Sequence, residues 1–201
     1  LFEYRFDEIE DYSSISLVKS KNYSLQDTTI TQEDLLNVRR DTEITENDDK
    51  DKRKVSFPQA NVMEKVISLM ENLYHNPMTK QQIAELMNFD ERQSDYYYNA
   101  GCYLELFQKA ENNDRELTRL GERVFKMNYK ERQLHIVSLI LKHKIFADFF
   151  DSIINTGSLP NKKEIEERMI ALNICNNCDT LSRRANSVLG WLKWIFNLTN
   201  I

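Results

Sequence analysis

The stretch TKQQIAELMNFDERQ at residues 79–93 decides the fold of this chain. Thr79 can cap a helix, Gln82 occupies the capping-box position three residues later, and Asn88 is a suitable helix stop. Asp90 then offers a second N-cap. The pattern predicts a short helix, a tight turn and the start of another helix. The predicted buried face of the short helix consists of Ile83, Leu86 and Met87.

The flanking sequence extends this pattern in both directions. Apolar residues at three- and four-residue steps predict a helix over 62–73, ending before Asn76-Pro77. The helix that Asp90 begins runs through Leu106, and two short strands, 106–110 and 116–118, then flank the turn-forming residues 111–114. Thr118 can cap a further helix that runs toward Tyr129. Three helices, a hairpin and a helix are the plan of a winged helix-turn-helix, predicted here over 59–130.

Two phrases in this region carry a resemblance to bacterial DNA-binding domains. MTKQQIAEL at residues 78–86 resembles the start of a bacterial helix-turn-helix. ELTRLG at 116–121 is similar to the LTxLG phrase that closes the wing in many such domains.

A second resemblance covers the C-terminal part. TLSRRANSV at 180–188, followed by WLKW at 191–194, resembles a phrase of the winged-helix recognition regions of bacterial type II restriction endonucleases. In that family such modules read the DNA target while a separate nuclease domain cuts. The Pro-Asp and Glu-x-Lys pattern of that nuclease is not found here. The resemblance therefore implies DNA recognition, with a nuclease domain or subunit as a partner and no catalytic residue in this chain.

Three groups of residues are candidates for contacting double-stranded DNA. On the helix after Asp90 they are Arg92, Gln93, Ser94, Tyr96, Tyr98 and Asn99, which can donate to phosphates or base edges. Around and after the hairpin they are Arg115, Arg119, Arg123 and Lys126, and Lys130 continues the same four- and three-residue spacing. Near the C-terminus they are Arg183, Arg184, Asn186 and Ser187.

Each group also has a purely structural interpretation. Asp90, Glu91 and Asp95 would repel a phosphate backbone, so the helix that carries them can be structural. The arginines and lysines can form solvated helix faces. Trp191 and Trp194 lie three residues apart on one helix face and favour core packing over base stacking.

The charge is distributed unevenly. Residues 1–60 hold 14 acidic and 9 basic residues of the 32 and 27 in the chain, which leaves 18 of each for the remainder. An acidic segment over 1–58 is therefore predicted, with short strands at 2–6 and 15–18, a helical turn or two at 33–38, and a flexible, solvated linker at 41–54. The second half, 131–201, is predicted to be helical and to repeat the winged-helix order.

Several function classes find no support in the sequence. No apolar run is long enough to span a bilayer, and three cysteines form no disulfide framework, which together predict a cytoplasmic protein. Cys175 and Cys178 have the spacing of half a zinc site, and a second pair is missing. No nucleophilic triad pattern and no phosphate-binding glycine loop is found, so no cofactor is expected. The chain opens with Leu1 rather than Met, so we expect either a piece excised from a longer polypeptide or a trimmed chain.

The sequence thus predicts a mainly α-helical DNA-recognition module with a small β-hairpin wing. Two alternatives stay open. One is a winged-helix module that binds another protein. The other is a dimeric transcriptional regulator. The apolar stretch 136–154 is expected to form one helix that joins two halves of the chain or makes a dimer contact, and in the regulator this helix would be the dimer seam.

Overall fold

The computed structural model describes residues 28–88, 90–176 and 178–199, without the side chain of Cys178. Helices dominate, and the described sheet is one two-stranded antiparallel hairpin, which confirms the predicted mainly helical class. The elements in chain order are α1 Gln32–Asp41, α2 Met63–His75, α3 Lys80–Met87, α4 Glu91–Tyr103, β1 Phe107–Lys109, β2 Arg115–Leu117, α5 Arg119–Lys126, α6 Tyr129–Leu141, α7 Lys144–Thr156, α8 Lys162–Ala171 and α9 Cys178–Asn197. The strands predicted at 2–6 and 15–18 lie outside the described residues.

The helix ends around the deciding stretch follow the capping signals. Thr79 caps α3 and Asp90 caps α4, each completing a capping box with the glutamine three residues on. Asn88 ends α3 in the left-handed conformation, at φ 51°. Ile83 is fully buried as predicted, but the predicted burial of Leu86 is wrong, since 49% of its surface is exposed. Helix α3 is short and packs mainly on α4, so only one of its sides is covered.

The hairpin is extended by Met78, the residue before the N-cap of α3. Strands β1 and β2 pair with Phe107 opposite Leu117 and Lys109 opposite Arg115. Met78 and Arg115 then exchange two backbone hydrogen bonds of 2.9 and 2.8 Å. The hairpin is thereby attached to the start of α3, and the second strand begins one residue earlier than predicted.

The apolar stretch 136–154 forms two helices, so the prediction of one helix is wrong. The break falls at residues 142–143 between α6 and α7. The amides of Thr45 and Glu46 donate to the Lys142 carbonyl, and the Lys144 amide donates to the Glu46 carbonyl. Because a distant segment takes these hydrogen bonds, the helical ladder is interrupted there.

One contiguous set of buried apolar side chains runs from α1 to α9. Trp191 is fully buried near its centre, donates from Nε1 to the Ala60 carbonyl at 2.8 Å, and stacks on Phe146. Trp194 is buried as well, so the predicted core role of both tryptophans is confirmed. Some side chains of the suggested dimer seam, such as Ile136, are buried in this core, whereas others, such as Phe149, are only partly buried.

We call residues 42–58 the strap, because they contact both halves of the described fold: Phe57 lies against Tyr103 of α4 and Phe146 of α7. Asp48 is buried and lies 3.0 Å from Nδ1 of His143. The Lys50 amide donates to the Asn173 carbonyl, and the Arg53 guanidinium donates to the Ile174 carbonyl at 3.0 Å. The segment is charged and largely exposed, as its composition predicts, yet defined contacts tie it to residues 142–143 and 173–174. No helix in the described ranges combines the length and apolarity that crossing a membrane requires.

Candidate nucleic-acid interface

Helix α4 presents one polar face that the rest of the fold does not cover. Arg92 and Gln93 are exposed, and Tyr96 and Asn99 are half-buried. Arg92, Tyr96 and Asn99 are four and three residues apart, which places them along one side of the helix. The Nε group of Arg92 donates a hydrogen bond to the Tyr96 hydroxyl, and the guanidinium carbon lies 5.5 Å from the centre of the Tyr96 ring.

The acidic residues of α4 are engaged within the protein. Asp95 lies 2.7 Å from Nζ of Lys80 and 3.0 Å from an Nη of Arg115, and Glu91 lies 3.5 Å from the same lysine. The pKa of the Lys80 ammonium is raised, chiefly by its hydrogen bond to Asp95. These ion pairs connect α3, α4 and β2, and they offset the negative charge that would repel a phosphate backbone.

Three predicted contact residues, two on α4 and one on β2, have structural roles in the fold. Ser94 is fully buried, and its hydroxyl donates to the Lys80 carbonyl at 3.2 Å. Tyr98 is buried against Phe107, and burial raises the pKa of its hydroxyl. Arg115 covers the Tyr98 ring at 5.1 Å while it pairs with Asp95. Since their polar groups are buried or occupied, Ser94, Tyr98 and Arg115 are removed from the candidate contact set.

Helix α5 carries an exposed row of three cations. Arg119, Arg123 and Lys126 are all exposed, at spacings of four and three residues. Thr118 caps this helix, as predicted, and thereby places the row directly after β2. Within the part of the chain that the structure describes, none of the three has an ion-pair partner.

Lys130 does not belong to this row, although its spacing predicted that it would. Helix α5 ends at Lys126, and Asn128 caps a new helix, α6, on which Lys130 lies. Lys130 pairs with Asp34 of α1 at 2.8 Å. We call Arg119, Arg123 and Lys126 the cation row.

The third candidate group lies at the start of α9, a helix that packs mainly on α8. Arg183 and Asn186 are exposed, and the Nε group of Arg183 donates to the Asp179 carbonyl. Ser187 is fully buried and is therefore also removed from the contact set. Arg184 is half-buried. Burial lowers the pKa of Arg53, and the nearby charge of Arg184 lowers it further.

Two ion-pair contacts, one at this interface and one elsewhere in the fold, were not predicted from the sequence. The pairing of Lys80 with Asp95 joins residues fifteen positions apart on different helices, a separation with no sequence signature. The pairing of His143 with Asp48 joins the strap to the break between α6 and α7, and Tyr103 stacks on the imidazole at 3.9 Å. A cavity of about 340 Å³ lies beside this cluster, lined also by Arg53 and Lys142.

No group of three or more potential metal ligands was found among the described residues. Cys175 itself is buried.

The comparisons with known proteins give a family. Residues 65–200 match a family model described as a domain of unknown function, DUF7226. No curated protein and no solved structure matched the chain. The family match includes α3, α4, the hairpin, the cation row and α9. Since it extends over more than half of the sequence, the chain belongs to the DUF7226 family.

Proposed function

We propose that this chain binds double-stranded DNA, with α3 and α4 as a helix-turn-helix and the β1–β2 hairpin as its wing. The observation that carries the proposal is the cation row on α5. Three exposed cations without an acidic partner in the described residues stand on one helix face immediately after the hairpin. Cations in such a row suit phosphates, which lie at regular intervals along a duplex.

Helix α4 supplies the complementary surface in this proposal. Its exposed residues Arg92 and Gln93 and the half-buried Asn99 can all hydrogen-bond to base edges or phosphates. Its acidic residues Glu91 and Asp95 are paired with Lys80 and Arg115, so their repulsion of DNA is reduced. In helix-turn-helix proteins the second helix enters the major groove, and the order of α3 and α4 fits that geometry.

The biological setting is the part of the proposal that rests on resemblance alone. The phrases at 180–188 and 191–194 favour the recognition region of a bacterial type II restriction endonuclease. A nuclease domain or subunit would then be the partner that cuts the DNA. Arg183, Arg184 and Asn186 would supply a second contact surface on α9.

The test is fluorescence-anisotropy binding to random-sequence duplex DNA at several salt concentrations. A variant with Arg119, Arg123 and Lys126 changed to alanine should bind more weakly. Its slope of log affinity against log salt should fall by up to about 3, since each lost phosphate contact removes close to one counterion.

The matched control removes the same charge from another part of the surface. Lys162, Lys163 and Lys193 are exposed residues of α8 and α9, and their triple alanine variant changes the net charge equally. We expect the control to bind nearly as well as the unmodified protein. Equal weakening by both variants, or no binding by the unmodified protein at low salt, would contradict the proposal.

A second candidate function is protein binding through α3 and α4. It is favoured by Leu86, a large apolar side chain that is 49% exposed beside α4, and by the balanced charges around Asp95. An apolar contact of this kind would be nearly insensitive to salt, whereas phosphate binding weakens steeply. A Leu86→Glu variant that binds DNA normally but loses a protein partner would favour this candidate.

A further inference from the structure

We infer that Arg92 reads a guanine in the major groove and that Tyr96 is its positioning residue. The inference rests on the proposed function and names the base that α4 recognises. It is carried by the contact between these two side chains and by the way neighbouring acids are occupied.

Arg92 uses only one of its donor nitrogens within the described residues. A guanidinium carries five N–H donors, one on Nε and four on the two Nη atoms. The Nε donor of Arg92 is used by the Tyr96 hydroxyl, one helical turn along α4. Within the described residues neither Nη atom has a hydrogen-bond partner, so the side chain keeps its terminal pair of parallel donors.

The neighbouring acids Glu91 and Asp95, which could otherwise occupy those donors, pair with other cations. Asp95 lies three residues after Arg92, where a carboxylate would ordinarily pair with it across one helical turn. Its two oxygens instead lie 2.7 Å from Lys80 and 3.0 Å from Arg115. Glu91 also forms an ion pair with Lys80, at 3.5 Å. The ion pairs around Lys80 therefore leave Arg92 free for a ligand.

A parallel pair of donors on Arg92 matches a base that has two adjacent acceptors in the major groove. Among the four bases, guanine alone presents two adjacent acceptors, O6 and N7, to the major groove. Adenine pairs its N7 acceptor with an amino donor, which a guanidinium cannot accept. Arg92 is the second residue of α4, at the end of a recognition helix that contacts base edges.

Tyr96 contributes by restricting Arg92. An exposed arginine ordinarily samples many rotamers, and fixing them on binding costs free energy. The hydroxyl and the ring of Tyr96 hold the guanidinium before DNA arrives. Such preorganisation favours the end-on geometry with Nη1 and Nη2 and excludes the side-on geometry that would need Nε.

The experiment selects bound sequences from a duplex library with a randomised core and compares charge-preserving variants. The unmodified protein should enrich guanine at one position. Arg92→Lys keeps the charge but loses the paired donors, so we expect the guanine preference to fall by between about 5-fold and about 150-fold, and the affinity for random DNA to fall by a smaller factor. Tyr96→Phe keeps the ring and loses the acceptor, and should lower the preference by about 2- to 10-fold.

Arg40→Lys is the matched control, because Arg40 is an exposed arginine of α1 that is not among the residues proposed to contact DNA. It should leave the selected sequence unchanged. If the protein binds duplex DNA but selects no guanine, or if Arg92→Lys retains the selection, the inference is wrong and the proposed function stands. If the unmodified protein binds no duplex DNA at low salt, the proposed function fails and the inference fails with it.

Discussion

At the scale of single residues, Gly190 allows a close approach between α9 and the loop before α2. A β-carbon there would lie 2.1 Å from the carbonyl oxygen of Asn61. The same loop supplies the Ala60 carbonyl that accepts from Trp191. The absence of a side chain at Gly190 therefore allows the largest core residue to reach its hydrogen-bond partner.

Gly190→Ala should lower the free energy of unfolding by about 1–3 kcal/mol or more, because the added methyl group displaces backbone. Gly157→Ala is the comparison. Gly157 ends α7 at φ 68° with open space around it, so alanine should cost only about 1 kcal/mol, through backbone conformation alone. Urea unfolding of both variants measures the difference, and a larger loss for Gly157→Ala would contradict the close approach at Gly190.

His135 makes the stability of the folded protein depend on pH. Burial lowers its pKa below the ordinary 6.5, and the nearby charges of Lys142 and Arg123 lower it further. The unfolded chain then binds a proton more readily than the folded protein does. The contribution of the neutral His135 to the free energy of unfolding is therefore fully present above pH 6.5. It is lost as the pH falls from 6.5 to the lowered pKa of the folded protein.

We expect the unfolding free energy to fall between pH 7 and pH 5.5 by less in a His135→Gln variant than in the unmodified protein. Urea unfolding across that range, followed by circular dichroism, measures the difference between the two curves. Parallel curves would show that His135 titrates alike in the folded and unfolded states.

At the scale of elements, the strap explains why α6 and α7 are separate helices. Its backbone supplies hydrogen bonds at the break, and Asp48 fixes it there through His143. Asp48 adopts a left-handed backbone at φ 61°, which aspartate and asparagine tolerate better than most residues. One side chain thus combines a buried contact with an unusual backbone conformation.

Asp48→Ala should lower the unfolding free energy by about 2–4 kcal/mol, because His143 loses a buried partner and alanine disfavours the left-handed region. Asp48→Asn keeps the size, a hydrogen-bonding group and the backbone tolerance, so its loss should be smaller. Thermal unfolding ranks the two variants. Equal losses would indicate that the carboxylate charge alone matters at this position.

At the scale of the whole molecule, the continuous core predicts cooperative unfolding. Buried side chains of α1, α2, α4, α6, α7 and α9 form one cluster, and the strap crosses between its parts. Trp191, on the last helix, contacts Tyr103 of α4 and Phe146 of α7. Loss of either half would therefore expose the packing surface of the other.

We expect a single transition in which tryptophan fluorescence and far-ultraviolet circular dichroism have the same midpoint in urea. Fluorescence reports α9, which holds both tryptophans, whereas circular dichroism reports all helices. Two separated midpoints would contradict the single core and would favour independently folding halves at 59–130 and 131–201.

The local features of this protein could be predicted from the sequence because neighbouring residues determine them. Thr79, Asp90 and Thr118 bond to amides three residues away, so these helix starts were readable. The hairpin followed from its turn, and the buried tryptophans from their helical spacing. The candidate site was readable to the same extent, since the exposed positions of Arg92 and the cation row depend on helix periodicity.

Only the tertiary structure decided which of these features face solvent and which face one another. Leu86 is exposed because α4 covers one side of α3, and Lys130 leaves the cation row because α5 ends and Asp34 pairs with it. Asp95 is offset by Lys80 and Arg115, and the strap separates α6 from α7. Each of these depends on contacts between residues far apart in the chain, and their energies arise only when folding brings those residues together, so no local pattern encodes them.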